Sequence, residues 1–285
     1  MILIKSASTL SLYLSDQKNK GLITGFIPTM GALHEGHISL INHSLQRDDI
    51  VISSIFINPT QFNDEKDFRQ YPVTLNQDIL LLEKAGCQVL FLPPIEEIYP
   101  DGISYNTHFE LGYLGTILEG AYRPGHFQGV CQVMERLLKI VMPDHLYLGQ
   151  KDYQQCKIIT QLINQLGLED KTKVHICPTL REPDGLAMSS RNRRINKEVR
   201  KNADGLYIAL THIKNNLKPG SMKTVFNEAR SILDAKGFDI DYLSVADAGD
   251  LEILKDFRDG RILVALAAAT FNEVRLIDNM LLSTD

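Results

Sequence analysis

The stretch Leu22-Ile-Thr-Gly-Phe-Ile-Pro-Thr-Met-Gly-Ala-Leu-His-Glu-Gly-His37 decides the fold of this chain. It opens with an apolar run and closes with two histidines three residues apart, and glycines stand on both sides of the first histidine. An apolar run that reaches glycine and continues into a polar segment predicts a strand followed at once by a helix. We therefore interpret residues 22–37 as a strand, a tight turn and the first turn of a helix.

Strands and helices continue to alternate as far as residue 178. Ile50-Val-Ile-Ser-Ser-Ile-Phe-Ile57 has the continuous apolar character of a buried parallel strand. The other predicted elements are strands at 88–92, 145–148 and 173–177 and helices near 35–47, 75–85, 128–141 and 152–166. This order predicts an α/β protein with a Rossmann-like, doubly wound parallel sheet.

The pattern changes after residue 178. Helices are predicted near 196–216 and 222–236, and β-rich runs follow. We therefore divide the chain into a Rossmann-like domain, residues 1–178, and a smaller C-terminal α+β domain, residues 179–285. Two domains, or one large α/β unit, suit a chain of 285 residues.

Composition and charge argue against several classes of protein. A net charge of −5 offers no basic surface to nucleic acid or to an anionic membrane. No apolar run approaches the roughly 18 residues of a membrane span, and the N-terminal segment lacks the features of a signal peptide. Because Cys87, Cys131, Cys156 and Cys177 form no C-x-x-C pair, we expect them to be reduced packing residues. The expectation is a cytoplasmic protein without nucleic-acid or membrane partners.

The histidine pair marks the first candidate site. Ligands of an open parallel sheet bind beyond the carboxyl ends of the strands, where helix N-termini offer free N–H groups and a positive dipole end. Gly31 and Gly36 would allow close approach of the backbone, and His34 and His37 would project from one face of the helix. The residues leave three interpretations open, namely contact with a nucleotide phosphate, half of a metal site, or packing. Phosphate contact is favoured, because the H-E-x-x-H spacing is absent and no third zinc ligand is evident.

His34-Glu-Gly-His37 after a strand also resembles the H-x-G-H signature of the nucleotidylyltransferase superfamily, which includes the class I aminoacyl-tRNA synthetases. Five segments together resemble one family, the pantothenate synthetases: Ile27–His37, Phe56–Phe62, Arg123–Cys131, Gly149–Gln155 and Asp184–Asn192. The resemblance spans most of the chain. It implies ATP-dependent ligation of pantoate and β-alanine to pantothenate through a pantoyl adenylate, with release of pyrophosphate and AMP.

The resemblance also implies a set of ATP-binding residues. They are Met30, Gly31, Ala32, Leu33, His34, Glu35, Gly36, His37, Gly149, Gln150, Lys151, Asp152, Leu180, Met188, Ser189, Ser190 and Arg191. Those expected to take part in catalysis are His34, His37, Lys151, Ser189, Ser190 and Arg191, and His37 matches the family's proton donor. A carboxylate nucleophile is already ionised at neutral pH. Catalysis of adenylation therefore depends on alignment and on positive or hydrogen-bonding groups around the phosphates.

The Met188-Ser-Ser-Arg191 segment resembles a shortened counterpart of the synthetase K-M-S-K-S loop. A simpler interpretation of Ser189 or Ser190 is an N-cap, because serine often satisfies the first turn of a helix. Both roles are compatible. We expect the domain that carries this loop to act as a lid, since an acyl adenylate must be kept from water.

The family places Gln61 and Gln155 in the pantoate pocket, where neutral amides bind hydroxyl and carboxylate groups without burying a charge. Magnesium is expected to accompany ATP. Asp78 is the candidate ligand, although Val73, Asn76 and Gln77 depart from the family pattern around it. No base for the amine step stands out, and a homodimer is the family expectation.

Three alternatives remain. Another nucleotidylyltransferase would share the histidine motif, but the Asn58-Pro-Thr-Gln-Phe62 segment and the Gln154–Gln155 pair argue against it. A nucleotide-binding regulatory protein would not need the histidine, lysine and serine motifs together. An RNA-binding relative is suggested by a basic cluster, which more simply forms a solvated face: Arg191, Arg193, Arg194, Lys197, Arg200 and Lys201.

Overall fold

A computed structural model describes residues 1–103, 107–257 and 260–282. The chain forms two compact units. The first contains Met1–Gly149 and Gln155–Pro178, and the second contains Gln150–Gln154 and Thr179–Asp285. The short segment Gln150–Gln154, which we had placed in the first domain from the sequence, thus groups with the C-terminal unit.

The first unit is built on a parallel sheet. Its strands are β1 (Ile2–Ile4), β2 (Thr24–Thr29), β3 (Ile50–Ile55), β4 (Val89–Phe91), β5 (His145–Gly149) and β6 (Lys173–Cys177). They lie in the order β1-β4-β3-β2-β5-β6, and every neighbouring pair is parallel. β1 extends the sheet at a place where the sequence analysis had predicted no strand.

Helices cover both faces of this sheet. They are α1 (Ala7–Asn19), α2 (Glu35–Leu45), α3 (Glu65–Arg69), α4 (Leu75–Lys84), α5 (Ile95–Ile98), α6 (Leu118–Tyr122), α7 (His126–Val141) and α8 (Tyr153–Gln165). Because successive side chains of a strand point to opposite faces, Phe26 and Ile52 pack with α1, α7 and α8, whereas Ile27 and Val51 pack with α2 and α4. The predicted doubly wound α/β class is confirmed.

The sheet order places a switch point between β2 and β5. From β2 the chain proceeds to β3 and β4 on one side, and it later crosses to β5 and β6 on the other side. In open α/β sheets the ligand crevice lies beyond the carboxyl ends of the two strands at such a point. Residues 30–37 follow β2 directly and therefore lie at this edge of the sheet.

The second unit has a different architecture. Its elements are α9 (Gly205–Asn216), β7 (Gly220–Ser221), α10 (Lys223–Ala235), β8 (Asp239–Asp247), β9 (Asp256–Phe257), β10 (Leu263–Phe271) and β11 (Val274–Leu282). β8, β10 and β11 form an antiparallel sheet in the order β11-β10-β8, and α9 and α10 share its apolar core. The predicted C-terminal α+β domain is confirmed as an architecture.

The predicted helix near 196–216 begins later than expected, because α9 starts only at Gly205. Two short 3-10 helices, Ser190–Arg194 and Arg200–Asn202, precede it. Between them the Asn196 side chain accepts a hydrogen bond from the N–H of Glu198, and the Asn196 N–H donates to Asn272. Local bonds of this kind offer the backbone an alternative to the helix.

A buried polar cluster lies where β2 and β5 begin. The carboxylate of Asp48 accepts hydrogen bonds from Ser44 Oγ and from the His145 ring. Gly25 leaves room for it, because a Cβ on Gly25 would lie 2.0 Å from Asp48 Oδ2. The ring of His175 stacks on Tyr147 with centroids 4.9 Å apart. Burial lowers the pKa of His175, and neighbouring His145, Lys173 and Arg47 lower it further against the opposing effect of Asp48.

This lowered pKa predicts a pH dependence of stability. Well above about pH 6.5, the ordinary pKa of histidine, His175 is neutral in both the folded and the unfolded chain. Below that pH the unfolded chain binds a proton more readily than the folded one, so the free energy of unfolding falls as the pH falls. We expect His175→Phe, which keeps the stacked ring, to reduce this loss between about pH 7 and pH 5.5 in urea unfolding experiments. An unchanged pH slope in the variant would contradict the assignment.

Candidate active-site residues in each unit

The turn between β2 and α2 has an unusual backbone. Gly31 and Ala32 both adopt left-handed conformations, with φ of 83° and 50°. Glycine does so freely, whereas for alanine the left-handed region costs roughly 1–2 kcal/mol. Something must therefore hold Ala32 in place.

Asp78 of α4 provides that hold. Its Oδ2 accepts the N–H of Ala32 at 2.9 Å, and its Oδ1 accepts the N–H of Leu33 at 2.8 Å. The hydroxyl of Thr74 donates to the same Oδ1 at 3.0 Å. Asp78 is 1% exposed, and hydrogen bonds from donors to a buried carboxylate are among the stronger ones. Asp78 therefore fixes the path of the chain into His34.

The predicted role of Asp78 as a magnesium ligand does not fit this geometry. Both carboxylate oxygens are already occupied by backbone N–H groups inside the protein. Magnesium bound by a protein usually takes one or two carboxylates beside phosphate oxygens and waters. Among the described residues no group of three or more His, Cys, Asp or Glu side chains is arranged to hold a metal. The sequence placed a carboxylate near the motif correctly but could not show which way it points.

The two histidines form the start of α2. His34 is the N-cap residue, and its Nδ1 accepts the N–H of Gly36 at 3.2 Å. The Nδ1 of His37 accepts the N–H of His34 at 3.3 Å, so the pair forms a reciprocal capping box. The ring centroids are 4.1 Å apart. Since Nδ1 is the acceptor in both rings, the neutral form of each carries its proton on Nε2. The capping bonds therefore use Nδ1 of each ring.

Gln61 lies in a 3-10 turn, Pro59–Gln61, that follows β3. Its Oε1 accepts a hydrogen bond from Asn58 Nδ2 at 3.1 Å, and its Nε2 lies 3.0 Å from the Sδ of Met30. Asn58 is 1% exposed, and its Oδ1 accepts the hydroxyl of Tyr99 at 2.7 Å. Asn58 therefore fixes the orientation of the Gln61 amide, with its Nε2 toward Met30. The sequence analysis did not give Asn58 a role; an Asn-Pro pair at the end of a strand was the available signal.

Gly129 in α7 brings that helix against the same turn. A Cβ on Gly129 would lie 2.1 Å from the carbonyl oxygen of Thr60 and 2.6 Å from the amide nitrogen of Gln61. The Gly129 carbonyl also accepts a hydrogen bond from Asn58 at 3.1 Å. Because position 129 has no side chain, α7 can pack directly against the backbone of Thr60 and Gln61. Gln155, the second predicted pantoate residue, lies half-buried in α8 of the first unit.

The second unit carries the other predicted phosphate-binding residues. Gln150–Asp152 form a 3-10 turn in which the Lys151 Nζ lies 3.3 Å from Asp152 Oδ1. Ser189 is the N-cap of the 3-10 helix Ser190–Arg194, and its Oγ accepts the N–H of Arg191 at 3.3 Å. The N-cap interpretation of Ser189 is therefore correct locally, and it leaves the predicted phosphate contact open.

The structure divides the predicted site residues between the two units. Met30–His37, Gln61, Gly149 and Gln155 belong to the first, and Gln150–Asp152, Leu180 and Met188–Arg191 belong to the second. Within the first unit, His34 contacts His37 and Met30 contacts Gln61. Joint contact of both groups with one ATP stays a prediction.

The sheet order, the helix N-terminus at the switch point and the separate α+β unit define a class: a doubly wound α/β protein of the kind that binds ligands at its switch point. The family follows from the sequence as a whole. The family described as Pantoate-beta-alanine ligase matches residues 2–281, and the chain belongs to that family.

Curated relatives and solved structures agree with this assignment. The chain is 39% identical over 285 residues to a pantothenate synthetase of Cytophaga hutchinsonii, covering 99% of each chain. It is 42% identical over 286 residues to that of Acetivibrio thermocellus, again covering 99% of each. The crystal structure of pantothenate synthetase from Thermus thermophilus aligns with a TM-score of 0.90 at 38% identity, covering 98% of this chain and 99% of that one.

A pantoate-beta-alanine ligase from Francisella tularensis, in a structure described as complexed with beta-gamma ATP and beta-alanine, is also similar. It aligns with a TM-score of 0.81 at 36% identity and covers 100% of this chain and 99% of that one. The family resemblance predicted from five sequence segments is thereby confirmed. In the part of the chain that the structure describes, no helix is long and apolar enough to cross a membrane.

The hold of Asp78 on the turn generates a prediction. In Asp78→Asn a single amide oxygen replaces two acceptors, and the new NH2 group faces a backbone N–H. We expect a loss of about 1–3 kcal/mol in the free energy of unfolding and lower catalytic activity, because His34 is no longer fixed. Urea unfolding and a turnover assay measure the two effects.

Thr74→Val is the matched control for this prediction, since it removes one donor to Asp78 and keeps both backbone contacts. It is expected to have a much smaller effect on both measurements. If Asp78→Asn instead kept full stability and only raised the magnesium concentration needed for activity, Asp78 would be a metal ligand and the assignment would be wrong.

Proposed function

We propose that this chain uses ATP to join pantoate and β-alanine into pantothenate through a pantoyl adenylate. The observation that carries the proposal is the full-length similarity to pantoate-beta-alanine ligases, including one described with an ATP compound and β-alanine bound. The histidine pair at the switch point supports it, because the positive dipole end of a helix and two imidazole rings suit a phosphate chain.

In the first step the ionised carboxylate of pantoate attacks the α-phosphorus of ATP. A carboxylate–phosphate bond forms, the bond to the bridging oxygen of pyrophosphate breaks, and pyrophosphate leaves with the electron pair. Charge grows on the phosphate oxygens, so donors fixed in advance lower the barrier. The Nε2–H groups of His34 and His37 are such donors, and we assign them to the phosphates. For His37 this is the role of the family's proton donor.

The second unit supplies the remaining phosphate contacts in this proposal. We assign Lys151, Ser189, Ser190 and Arg191 to phosphate oxygens, as cations and hydroxyl donors. The other predicted contacts, Met30–Leu33, Glu35, Gly36, Gly149, Gln150, Asp152, Leu180 and Met188, line the nucleotide. The unit that carries the serines acts as the lid that keeps water from the adenylate.

In the second step the neutral amine of β-alanine attacks the acyl carbon of pantoyl adenylate. The amide bond forms, the acyl–oxygen bond to AMP breaks with its electron pair going to AMP, and the proton lost by the amine goes to solvent. We assign Gln61 and Gln155 to pantoate throughout, with Asn58 orienting Gln61. Magnesium is expected to lie on the phosphates of ATP, and the geometry of Asp78 argues that it is not the ligand. We further propose a cytoplasmic homodimer without nucleic-acid or membrane partners.

One assay tests the proposed reaction. The protein is incubated with pantoate, ATP and magnesium, with and without β-alanine, and pyrophosphate and AMP are measured. We expect pyrophosphate release to require pantoate and AMP release to respond to β-alanine. Pyrophosphate release that is indifferent to pantoate would instead favour another nucleotidyl transfer reaction and overturn the proposal.

The histidine pair allows a sharper prediction. His37→Ala removes both the Nε2–H donor and the capping bond to His34, whereas His37→Gln keeps an acceptor at the N3 position of a capping box. We expect both variants to lose about 10²–10³-fold in the rate of pyrophosphate release, and only His37→Ala to lose about 1 kcal/mol of stability. Unfolding followed by circular dichroism measures the loss of stability, and timed pyrophosphate assays measure the loss of rate. Near-normal turnover of His37→Ala would refute the assigned role.

A further inference from the structure

Two neighbouring residues of β11 contact the Lys151 segment and Arg181, which lies shortly before the serines of the second unit. Asp278 and Asn279 are 4% and 2% exposed. β11 is an edge strand, because it pairs only with β10 in the sheet of the described residues. Buried polar side chains on such a strand must find partners outside the sheet. The partners of these two residues lie in different parts of the chain.

Asn279 holds the backbone around Lys151. Its Nδ2 donates to the carbonyl oxygen of Gln150 at 2.9 Å and to that of Lys151 at 2.8 Å. Its Oδ1 accepts the Nε2 of Gln150 at 3.2 Å. Two of these bonds fix the peptide groups on either side of the Lys151 Cα atom. The direction in which the Lys151 side chain leaves the backbone is therefore set by Asn279.

Asp278 holds a short hairpin, residues 180–188, that leads to the serines and is closed by an antiparallel bridge between Arg181 and Ala187. It forms a two-pronged ion pair with Arg181, with contacts of 2.6 Å and 2.9 Å. Arg181 also donates to the carbonyl oxygens of Gly185 at 3.0 Å and Asn279 at 3.2 Å. The hairpin extends to Met188, whose N–H donates to the Leu180 carbonyl at 3.0 Å. The residue next to Ser189 is thus tied to β11 through Arg181.

We propose that Asp278 and Asn279 are positioning residues for phosphate binding, which hold the Lys151 segment and the hairpin leading to Ser189 and Ser190 against one strand. The inference rests on the proposed function of those two segments. A bidentate Arg–carboxylate pair and a fully bonded amide are rigid contacts. Holding charged and hydroxyl donors in a fixed arrangement matters because a displacement of about 1 Å can cost about 100-fold in rate.

Asn279 is the better residue to test, because removing Arg181 would leave the Asp278 carboxylate buried without its partner and would endanger the fold. Asn279→Ala removes all three bonds. Asn279→Asp keeps the acceptor for Gln150 and removes only the donor to the two carbonyl oxygens. Val274→Ala is the matched control, since Val274 is a buried residue of the same strand that packs in the apolar core.

A double-mutant cycle measures whether Asn279 acts through Lys151. We expect Asn279→Ala and Asn279→Asp to lower kcat/KM for ATP in pyrophosphate release by about 10–100-fold, with KM for pantoate unchanged. Adding Asn279→Ala to Lys151→Ala should cause almost no further loss, because the two act on one interaction. Val274→Ala should leave kcat/KM unchanged. Losses that multiply in the double variant, or an Asn279 variant that behaves like Val274→Ala, would overturn the inference.

Hydrogen exchange tests the anchoring without turnover. The amides of residues 150–154 should exchange faster in Asn279→Ala than in Val274→Ala at matched stability. Unchanged exchange there would overturn the inference even if the ligase reaction is correct. Conversely, faster exchange in a protein that shows no pantoate-dependent pyrophosphate release would support the anchoring and count against the proposed function alone.

Discussion

One buried carboxylate accepts hydrogen bonds from two backbone N–H groups, and these bonds set the backbone geometry of the candidate site in the first unit. Asp78 holds Ala32 and Leu33, and that contact offsets the cost of the left-handed conformation at Ala32. The chain then enters α2 with His34 as its cap, and the capping bonds determine that Nδ1 is the acceptor in both rings. The geometry of the histidine pair thus depends on a residue that is distant in sequence: Asp78 lies 46 positions after Ala32, whose N–H it accepts.

A common physical device recurs in both units. Asp78, Asn58 and Asn279 are buried polar side chains that bind backbone or another side chain and are fully engaged within the protein. Burying such groups is costly unless every bond is made, so they specify one arrangement more strictly than apolar contacts do. The groups we assign to substrate project from backbone that these residues hold. The residues that we assign to substrate binding are therefore different from the residues that hold the backbone in position.

The sequence predicted what depends on local pattern. The parallel sheet and the histidine turn follow from apolar runs, glycines and a three-residue spacing, and the structure agrees with them. Asp78 was predicted to bind magnesium, whereas in the structure both of its oxygens accept backbone N–H groups, because a sequence does not reveal the direction of a carboxylate. Asn279 was missed altogether, since its bond to Lys151 spans 128 positions and no local pattern announces it. The late start of α9 was missed because Asn196 bonds locally to Glu198 and to a distant residue, Asn272.

Gly25 carries a consequence for how this sequence can vary. Any side chain there would collide with the Asp48 carboxylate and the Ser44 hydroxyl, at 2.0 Å and 2.1 Å from its first carbon. Position 25 lies near the start of β2, whereas the histidine turn follows the other end of that strand. A mutational scan would therefore score this glycine as intolerant for a steric reason that has nothing to do with ligand contact. A position of this protein can therefore be intolerant to replacement because of steric crowding at the start of β2, just as another can be intolerant because of its chemical role beyond the end of β2.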